Sequence, residues 1–380
     1  MTSLYNVFTL VQTGERKGAA MSARGMTERA RRAVREVEEV LAQAGTDEAR
    51  TMADALRRAL LRAEFDAAQD DGHAVPACCP RCGCVGGVVR RGHDRDGAQR
   101  WYCKDCGRSF GRKTGKVAGM SKLPPETWMA YVGCFCDRLT LRECAERVGV
   151  SLKTSFFMRH RLLEVLARLV PPFLAGAGMG AELDETYFPE SFKGNHGASF
   201  RLPRKAHRRG KSVRKRGLSA EQICVASGVN DAGGAFLQAV GRGPARKAEL
   251  AEALRGRVEA GAIVSTDQAR AYAPVLAALG AAEHRAYPSG DRSQGTINRV
   301  NALHSSLDGF MRRFRGVSTK HLGAYLSWFL WRRAFSATAE QAREAAARQM
   351  SAGTYRRTWG DYVGAPAPFM GYWEGRAGVA

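Results

Sequence analysis

The spacing of hydrophobic positions changes along the chain and divides it into a helical first half and a mixed second half. Residues 27–67 are rich in Ala, Arg, Glu and Leu with almost no helix breakers, which predicts one or two amphipathic helices. A second helical stretch follows the linker at 121–125 and ends at Pro171 and Pro172. Beyond these prolines, short apolar segments alternate with helical ones, which predicts a mixture of strands and helices in the second half. In the first half, short strands are expected only at 85–91 and 99–102.

The order of elements in the second half predicts an α/β core with a mixed sheet. The Asn-Asp-Ala-Gly-Gly sequence at 230–234 predicts a hairpin turn between two strands. Predicted strands lie at 181–188, 223–229, 235–240, 262–266 and 284–287. Predicted helices lie at 245–259 and 270–279, two more lie within 296–335, and another begins the tail.

The net charge of the chain indicates which class of partner it binds. Its 380 residues carry 59 Lys and Arg against 37 acids, a net charge of +22. A surplus of this size favours a polyanionic partner, most often nucleic acid, and a generally basic soluble protein is the alternative. No run of about 18 uncharged apolar residues exists, so we expect no membrane span. The N-terminus lacks the apolar segment and cleavage site of a secretory signal, so a cytoplasmic location is expected.

Two Cys-x2-Cys pairs lie close together in the sequence. Cys79 and Cys82 form the first pair, and Cys103 and Cys106 form the second. Four thiolates with this spacing can close a tetrahedral shell around Zn²⁺, and four unrelated thiols are the alternative. A glycine follows each pair, where the chain needs a residue that tolerates positive φ. Because cysteine fills all four positions, the predicted zinc is structural.

The helical stretch after the linker contains a helix-turn-helix pattern. Thr140 is the predicted cap of the first helix with Glu143 as its partner, Gly149 makes the turn, and Ser151 caps the second helix. An ordinary helical hairpin is the alternative. The polar residues of the second helix that we expect to contact DNA are Lys153, Thr154, Arg159 and Arg161.

Acidic residues follow two of the predicted strands. Asp184 and Glu185 come after one apolar run, and Asp267 comes after another. Carboxylates at the ends of neighbouring strands can converge on one point, and their oxygens suit Mg²⁺, although either Asp alone could be an ordinary strand-end residue. Asn301, 34 residues after Asp267, lies on the polar stripe of a predicted helix and offers a further oxygen ligand.

The ordered set of motifs resembles ISXO-like insertion-sequence transposases over about 75–340. The motifs are the zinc ribbon, the helix-turn-helix, Asp-Glu-Thr-Tyr-Phe at 184–188, Thr-Asp-Gln-Ala-Arg-Ala-Tyr at 266–272 and Asn-Arg-Val-Asn at 298–301. The resemblance implies an RNase H-like, or retroviral-integrase-like, catalytic core with an N-terminal zinc ribbon and helix-turn-helix. Its catalytic triad is Asp184, Asp267 and Asn301, since some family members carry Asn at the third position. Family members usually have Lys or Arg two helical turns after the third triad residue, and this chain has Asp308 at that position.

The resemblance also implies an activity and its partners. The expected enzyme binds the terminal inverted repeats of an insertion sequence and catalyses strand cleavage and strand transfer by two-metal phosphoryl transfer. Mg²⁺ or Mn²⁺ would bind to the triad, and the partners would be double-stranded DNA and a second copy of the chain. A transposase-derived DNA-binding regulator without catalytic activity and a structure-specific nuclease are the alternatives.

A basic run separates the first two acids. Residues 193–216 contain ten Lys or Arg and no Asp or Glu. We expect this run to lie along the DNA backbone, with a flexible solvated loop as the alternative. The residues assigned to that contact are Arg204, Lys205, Arg208, Arg209, Lys211, Arg214, Lys215 and Arg216.

These features together divide the chain into five expected segments. They are an N-terminal helical region at 1–72, a zinc ribbon at 73–115, a helix-turn-helix region at 122–172, an RNase H-like catalytic domain at 180–335 and a C-terminal tail at 336–380.

Overall fold

The computed structural model describes residues 28–45, 75–95, 97–119, 121–194, 219–288, 297–335, 339–352 and 357–374, with residue 355 and parts of 48–59. Helix α1 (Glu28–Gln43) begins the described chain and is largely exposed. A small ribbon, a helical block and a five-stranded sheet with helices on both faces follow it. Among the described residues, no helix is long and apolar enough to cross a membrane.

The ribbon is a three-stranded antiparallel sheet in the order β1-β2-β3. Its strands are β1 (Val88–His93), β2 (Gln99–Cys103) and β3 (Arg108–Gly111). Trp101 pairs with Phe110 across β2 and β3, and both side chains are buried beside two of the cysteines. The sequence predicts the first two strands, and β3 is an additional strand that completes this small core.

The helical block consists of α2 (Pro125–Cys136), α3 (Leu141–Val148) and α4 (Leu152–Ala167). Thr140 and Glu143 form the predicted capping box, because each side chain accepts a hydrogen bond from the backbone N–H of the other. Gly149, with φ of 72°, ends α3, and the Ser151 side chain caps α4. The predicted caps at Thr140 and Ser151 and the predicted turn at Gly149 are therefore those of the structure.

The large sheet has the order β6-β5-β4-β7-β8. Its strands are β4 (Gly180–Pro189), β5 (Gln222–Asn230), β6 (Ala235–Arg242), β7 (Ile263–Asp267) and β8 (Glu283–Tyr287). β5 runs antiparallel to both of its neighbours, β4 and β6, whereas β7 and β8 run parallel to β4. The mixed sheet predicted from the sequence is confirmed, and β4 is its central strand.

Helices cover both faces of the sheet. They are α5 (Lys247–Leu254), α6 (Tyr272–Ala278), α7 (Asn298–Arg312) and α8 (Leu322–Phe335). Two further helices, α9 (Ala339–Ala352) and α10 (Trp359–Val363), pack against the helical block. One hydrophobic core lies between one face and α5 and α6. The other core joins the opposite face to α7 and α8 and also includes side chains of α2, α4, α9 and α10. The helical block and the described part of the C-terminal tail therefore share a core with the sheet.

Two arginines of α4 lie inside this shared core. Arg159 is fully buried, donates to the Leu139 carbonyl at 2.5 Å and stacks over the Trp328 ring at 5.2 Å. Arg161 is 2% exposed and donates to the Val117 carbonyl. The prediction that these two arginines contact DNA is wrong, because α4 turns them toward the protein interior, where their guanidinium groups cannot reach a phosphate.

We predict that Arg159→Ala and Arg161→Ala each lower the free energy of unfolding by about 2–4 kcal/mol, because each leaves a cavity and an unpaired carbonyl. Arg142→Ala, at an exposed position on α3, is the control and should change stability by less than about 0.5 kcal/mol. Urea denaturation of the three variants measures the difference. Equal stability of all three would contradict a structural role for the buried pair.

Candidate functional site

The acids at the ends of the two apolar runs meet on neighbouring strands. Glu182 on β4 pairs with Ser265 on the parallel strand β7, so two residues further on Asp184 lies beside Asp267. One carboxylate oxygen from each of Asp184, Glu185 and Asp267 lies within 4.8 Å of the other two. The structure brings together the two aspartates selected from the sequence and adds Glu185, which belongs to the same motif but not to the expected triad.

Each carboxylate of this acidic cluster, defined as Asp184, Glu185 and Asp267, has a hydrogen bond that holds it in place. Asp184 accepts from the backbone N–H of Glu185 at 2.8 Å, and Asp267 accepts from that of Ala269 at 3.0 Å. The hydroxyl of Tyr272, a buried residue of α6, donates to Glu185. The cluster is therefore preorganised on two strands and one helix.

Burial and mutual repulsion disfavour the charged forms of these acids. Burial, with a contribution from the charge of Asp267, raises the pKa of Asp184 to about 6. Burial and the charges of both aspartates raise the pKa of Glu185 to about 7. The pKa of Tyr272 is raised well above 10, so its hydroxyl remains a proton donor. A bound cation would relieve the repulsion that produces part of these shifts.

Helix α7 places a histidine against the cluster. The Nδ1 atom of His304 lies 3.7 Å from an Asp184 carboxylate oxygen. Its Nε2 atom lies 2.6 Å from the hydroxyl of Ser227 on β5, and that hydroxyl donates to the Asp184 carbonyl at 2.7 Å. Burial lowers the pKa of His304. The side chain of α7 that contacts the first aspartate is therefore neutral histidine at ordinary pH.

Asn301, the third ligand expected from the motif, lies on the same helix. Its side chain is exposed, one turn before His304 on α7, and the two residues differ by about 60° around the helix and about 4.5 Å along it. The contact with Asp184 is made by His304, and the assignment of Asn301 as third ligand stays a prediction. His304 lies on the same polar stripe of the sequence, three residues after Asn301, and that spacing was the available signal. Asp308, one turn later, is also exposed.

A network of charged groups fixes the start of α7 on the sheet. The buried carboxylate of Glu182 accepts from the Val300 backbone N–H at 3.0 Å and from the Arg299 side chain at 2.8 Å. Arg299 also donates to Asp231, in the β5–β6 turn, at 2.5 Å. Because Glu182 precedes Asp184 by two residues on β4, this network aligns α7 with the strand that carries the first aspartate.

The four cysteines of the two pairs converge in the ribbon. One sulfur from each lies within 4.8 Å of the other three, and the Sγ–Sγ distances are 3.9 Å for Cys79–Cys106 and 3.7 Å for Cys82–Cys103. Zn–S bonds of about 2.3 Å in a tetrahedron separate the sulfurs by about 3.8 Å, so these distances match a zinc shell. Cys84 lies 3.1 Å from Cys103 and is a competing neighbour.

The residues expected to contact DNA have different surroundings. Lys153 is exposed in the first turn of α4 with its ammonium group 4.7 Å from the centre of the Trp359 ring, and Thr154 beside it is half-buried. These two residues remain accessible to a partner. The eight residues assigned within 204–216 lie outside the described part of the chain.

Similarity to known proteins agrees with this arrangement. The family model of the ISXO2-like transposase domain matches residues 176–334, which contain both acid-bearing strands and α7, so the chain belongs to the class of transposases. The "uncharacterized protein in transposable element ISH50" of Halobacterium salinarum is 30% identical over 260 residues, covering 67% of this chain and 84% of that protein. The chain is a member of the ISXO2-like transposase family.

A remote similarity exists to a chain in the crystal structure of a pre-cleavage Mos1 transpososome. The two chains are 13% identical, with a TM-score of 0.22, and the match covers 62% of this chain and 82% of that one.

The raised pKa values predict how the acidic cluster affects stability when no divalent cation is added. The protonated acids are the favoured forms in the folded protein, so their contribution to stability is complete below their ordinary pKa values of 3.8 and 4.5 and is lost as the pH rises through about 6 and 7. Asp184→Asn should therefore match the wild type at pH 4 and be more stable by about 1–3 kcal/mol above pH 7.

Urea denaturation between pH 4 and pH 8 measures this difference. Asp231→Asn is the matched control, because the ion pair with Arg299 lowers the pKa of Asp231 and its loss should destabilise the protein at neutral pH. A wild-type protein more stable than Asp184→Asn at pH 8 would show that the cluster is not repulsive.

Proposed function

We propose that this protein is a DNA transposase that binds the terminal inverted repeats of an insertion sequence and catalyses metal-dependent strand cleavage and strand transfer. The observation that carries the proposal is the convergence of Asp184, Glu185 and Asp267 within 4.8 Å in the segment that matches the transposase family. The sheet order, with one aspartate on the central strand and the other on its parallel neighbour, supports an RNase H-like core.

The donor set of the acidic cluster suits a hard divalent cation. Carboxylate oxygens are the ligands that Mg²⁺ and Mn²⁺ prefer, and three desolvated acids in one place require a positive counter-charge. Asp184 and Asp267 would hold the cation, with Glu185 within reach and Asn301 as the third ligand that the resemblance implies. A cation bound there supplies Lewis-acid activation of water or of a DNA 3′-hydroxyl and stabilises charge on the phosphate.

The side chains around the cluster prepare it for a polyanionic substrate. Without a counter-ion, ionised Asp184 and Asp267 repel a DNA phosphate, so the acids themselves make substrate approach depend on a bound cation. Tyr272 keeps Glu185 oriented, and Ser227 keeps both His304 and the β4 backbone in place. The chain thus contributes position and charge, as phosphoryl transfer requires.

DNA contacts are assigned to basic and polar groups away from the acids. Lys153 and Thr154 lie at the start of α4, and the ribbon exposes Arg90 and Arg91 on β1. The basic run at 193–216 follows the end of β4 and would track the phosphate backbone. Double-stranded DNA is the proposed partner, and a dimer or larger assembly is proposed because two element ends must be joined in one complex.

Two features favour a second candidate, a DNA-binding regulator derived from a transposase. Asn301 replaces a third acid. Asp308 occupies the position at which family members usually have a Lys or Arg that contacts phosphate. A structure-specific nuclease on the same fold is a third candidate. Inverted repeats flanking the gene would identify a mobile element and exclude both alternatives.

Replacement of either aspartate should reduce DNA cleavage without weakening DNA binding. We predict that Asp184→Asn and Asp267→Asn each reduce Mg²⁺-dependent cleavage of an element end by at least about a thousandfold, since each removes a metal ligand. Affinity for that DNA should stay at or above the wild-type value, because each substitution removes a negative charge. Glu283→Gln, an exposed acid on β8, is the control and should keep full cleavage.

Cleavage on labelled end duplexes and mobility shifts on the same duplexes provide the two readouts. Cleavage by either variant at the wild-type rate would overturn the site assignment. No cleavage by the wild type, with binding intact, would favour the regulator.

We also propose that the cysteine cluster, defined as Cys79, Cys82, Cys103 and Cys106, holds a structural Zn²⁺. Cys82→Ser and Cys106→Ser should release the zinc, unfold the ribbon and abolish specific end binding, because the metal supplies folding free energy directly. Cys84→Ser is the matched control and should retain one zinc per chain. Metal analysis and mobility shifts measure these outcomes, and a zinc-free wild-type protein that binds ends would contradict the proposal.

A further inference from the structure

The hydrogen bonds around Ser227 determine which nitrogen of His304 carries the proton. The Ser227 hydroxyl has one proton, and it donates that proton to the Asp184 carbonyl at 2.7 Å. The hydroxyl oxygen can therefore only accept from His304, so the Nε2 atom 2.6 Å away carries a hydrogen. In neutral imidazole the other nitrogen, Nδ1, then has a free lone pair.

That lone pair faces a carboxylate. Nδ1 lies 3.7 Å from the Asp184 Oδ2 atom, and both atoms are acceptors on mostly buried side chains. In an octahedral shell with bonds of about 2.1 Å, two ligands lie about 3.0 Å apart when adjacent and about 4.2 Å apart when opposite. The observed separation falls between these limits, so a single cation can bridge the two atoms.

The second nitrogen of His304 has the partner that a metal-bound histidine needs. Histidine ligands almost always donate their other ring N–H to an acceptor, which fixes the tautomer and the ring orientation. Ser227 on β5 provides this acceptor, and its own hydrogen bond ties it to the backbone of the strand that carries Asp184. The network at Glu182 and Arg299 holds α7 against the same strand.

We propose that His304 binds the active-site cation through Nδ1 and fills the position expected for Asn301. The inference rests on the proposed function, because it assumes a cation at Asp184. Among the described residues, His304 does not join Asp184 and Asp267 in one group of ligand atoms, so the cation that it binds would be held with Asp184 rather than with Asp267. A nitrogen ligand in this donor set favours Mn²⁺ over Mg²⁺, since imidazole suits transition metals and Mg²⁺ prefers oxygen. The exposed Asn301 is then free to contact DNA or solvent.

Mn²⁺ binding to the full-length protein tests this assignment without requiring catalysis. Electron paramagnetic resonance gives the affinity, and its spin-echo modulation detects a directly bound ¹⁴N nucleus. His304→Gln can keep the hydrogen bond to Ser227 but lacks an atom at the Nδ1 position, whereas the amide oxygen of His304→Asn occupies that position. His284→Gln is the matched control, because His284 makes a similar hydrogen bond to Thr266 on the same sheet.

The wild type should show ¹⁴N modulation and bind Mn²⁺ more tightly than Mg²⁺. His304→Gln should lose the modulation and weaken Mn²⁺ binding about tenfold or more. His304→Asn should lose the modulation and the preference for Mn²⁺ while keeping most of the affinity for Mg²⁺. His284→Gln should behave as the wild type does.

Three results would contradict either the role of His304 as a ligand or the metal site on which that role depends. If the wild type binds Mn²⁺ without ¹⁴N modulation and Asp184→Asn does not bind it, His304 is not a ligand and the proposed function is unaffected. Weaker binding by Asn301→Ala, with His304→Gln unchanged, would assign the third ligand to Asn301. No Mn²⁺ binding by the folded wild type would instead contradict the metal site of the proposed function.

Discussion

Three carboxylates must be held together against their own repulsion, and the organisation of the second half of the chain follows from this constraint. Asp184, Glu185 and Asp267 are partly buried and share one small volume. Bringing them there costs free energy, which is visible in the raised pKa values of Asp184 and Glu185. The cost is tolerable because the acids lie on a central strand and its parallel neighbour, both anchored by extensive backbone pairing.

The alternation of side chains along β4 connects the site to the rest of the molecule. Ala181 and Leu183 enter the core beneath α5 and α6, whereas Glu182 and Asp184 face α7. Glu182 anchors the start of that helix, and one turn later His304 meets Asp184. A single strand therefore sets both the position of the first aspartate and the helix that approaches it.

The elements assigned to DNA recognition are not independent of this core. Helix α4 buries Arg159 and Arg161 against α2, α8 and the tail, so its accessible polar surface is concentrated in the first turn. Trp359 of α10 packs under Lys153 in that turn. The first turn of α4 therefore adjoins the hydrophobic core that also supports α7.

The sequence alone determined the elements, the mixed sheet, the cysteine cluster and the two aspartates, because these depend on local periodicity, spacing and position at strand ends. It also showed the family, through an ordered set of motifs. Only the tertiary structure decided which side of each helix faces inward. Arg159 and Arg161 look like a basic recognition face in the sequence, yet α8 and the tail cover them. Likewise, the motif selects Asn301, whereas the packing of α7 on β4 brings His304 to Asp184, since the rotation of a helix about its axis is set by its partners.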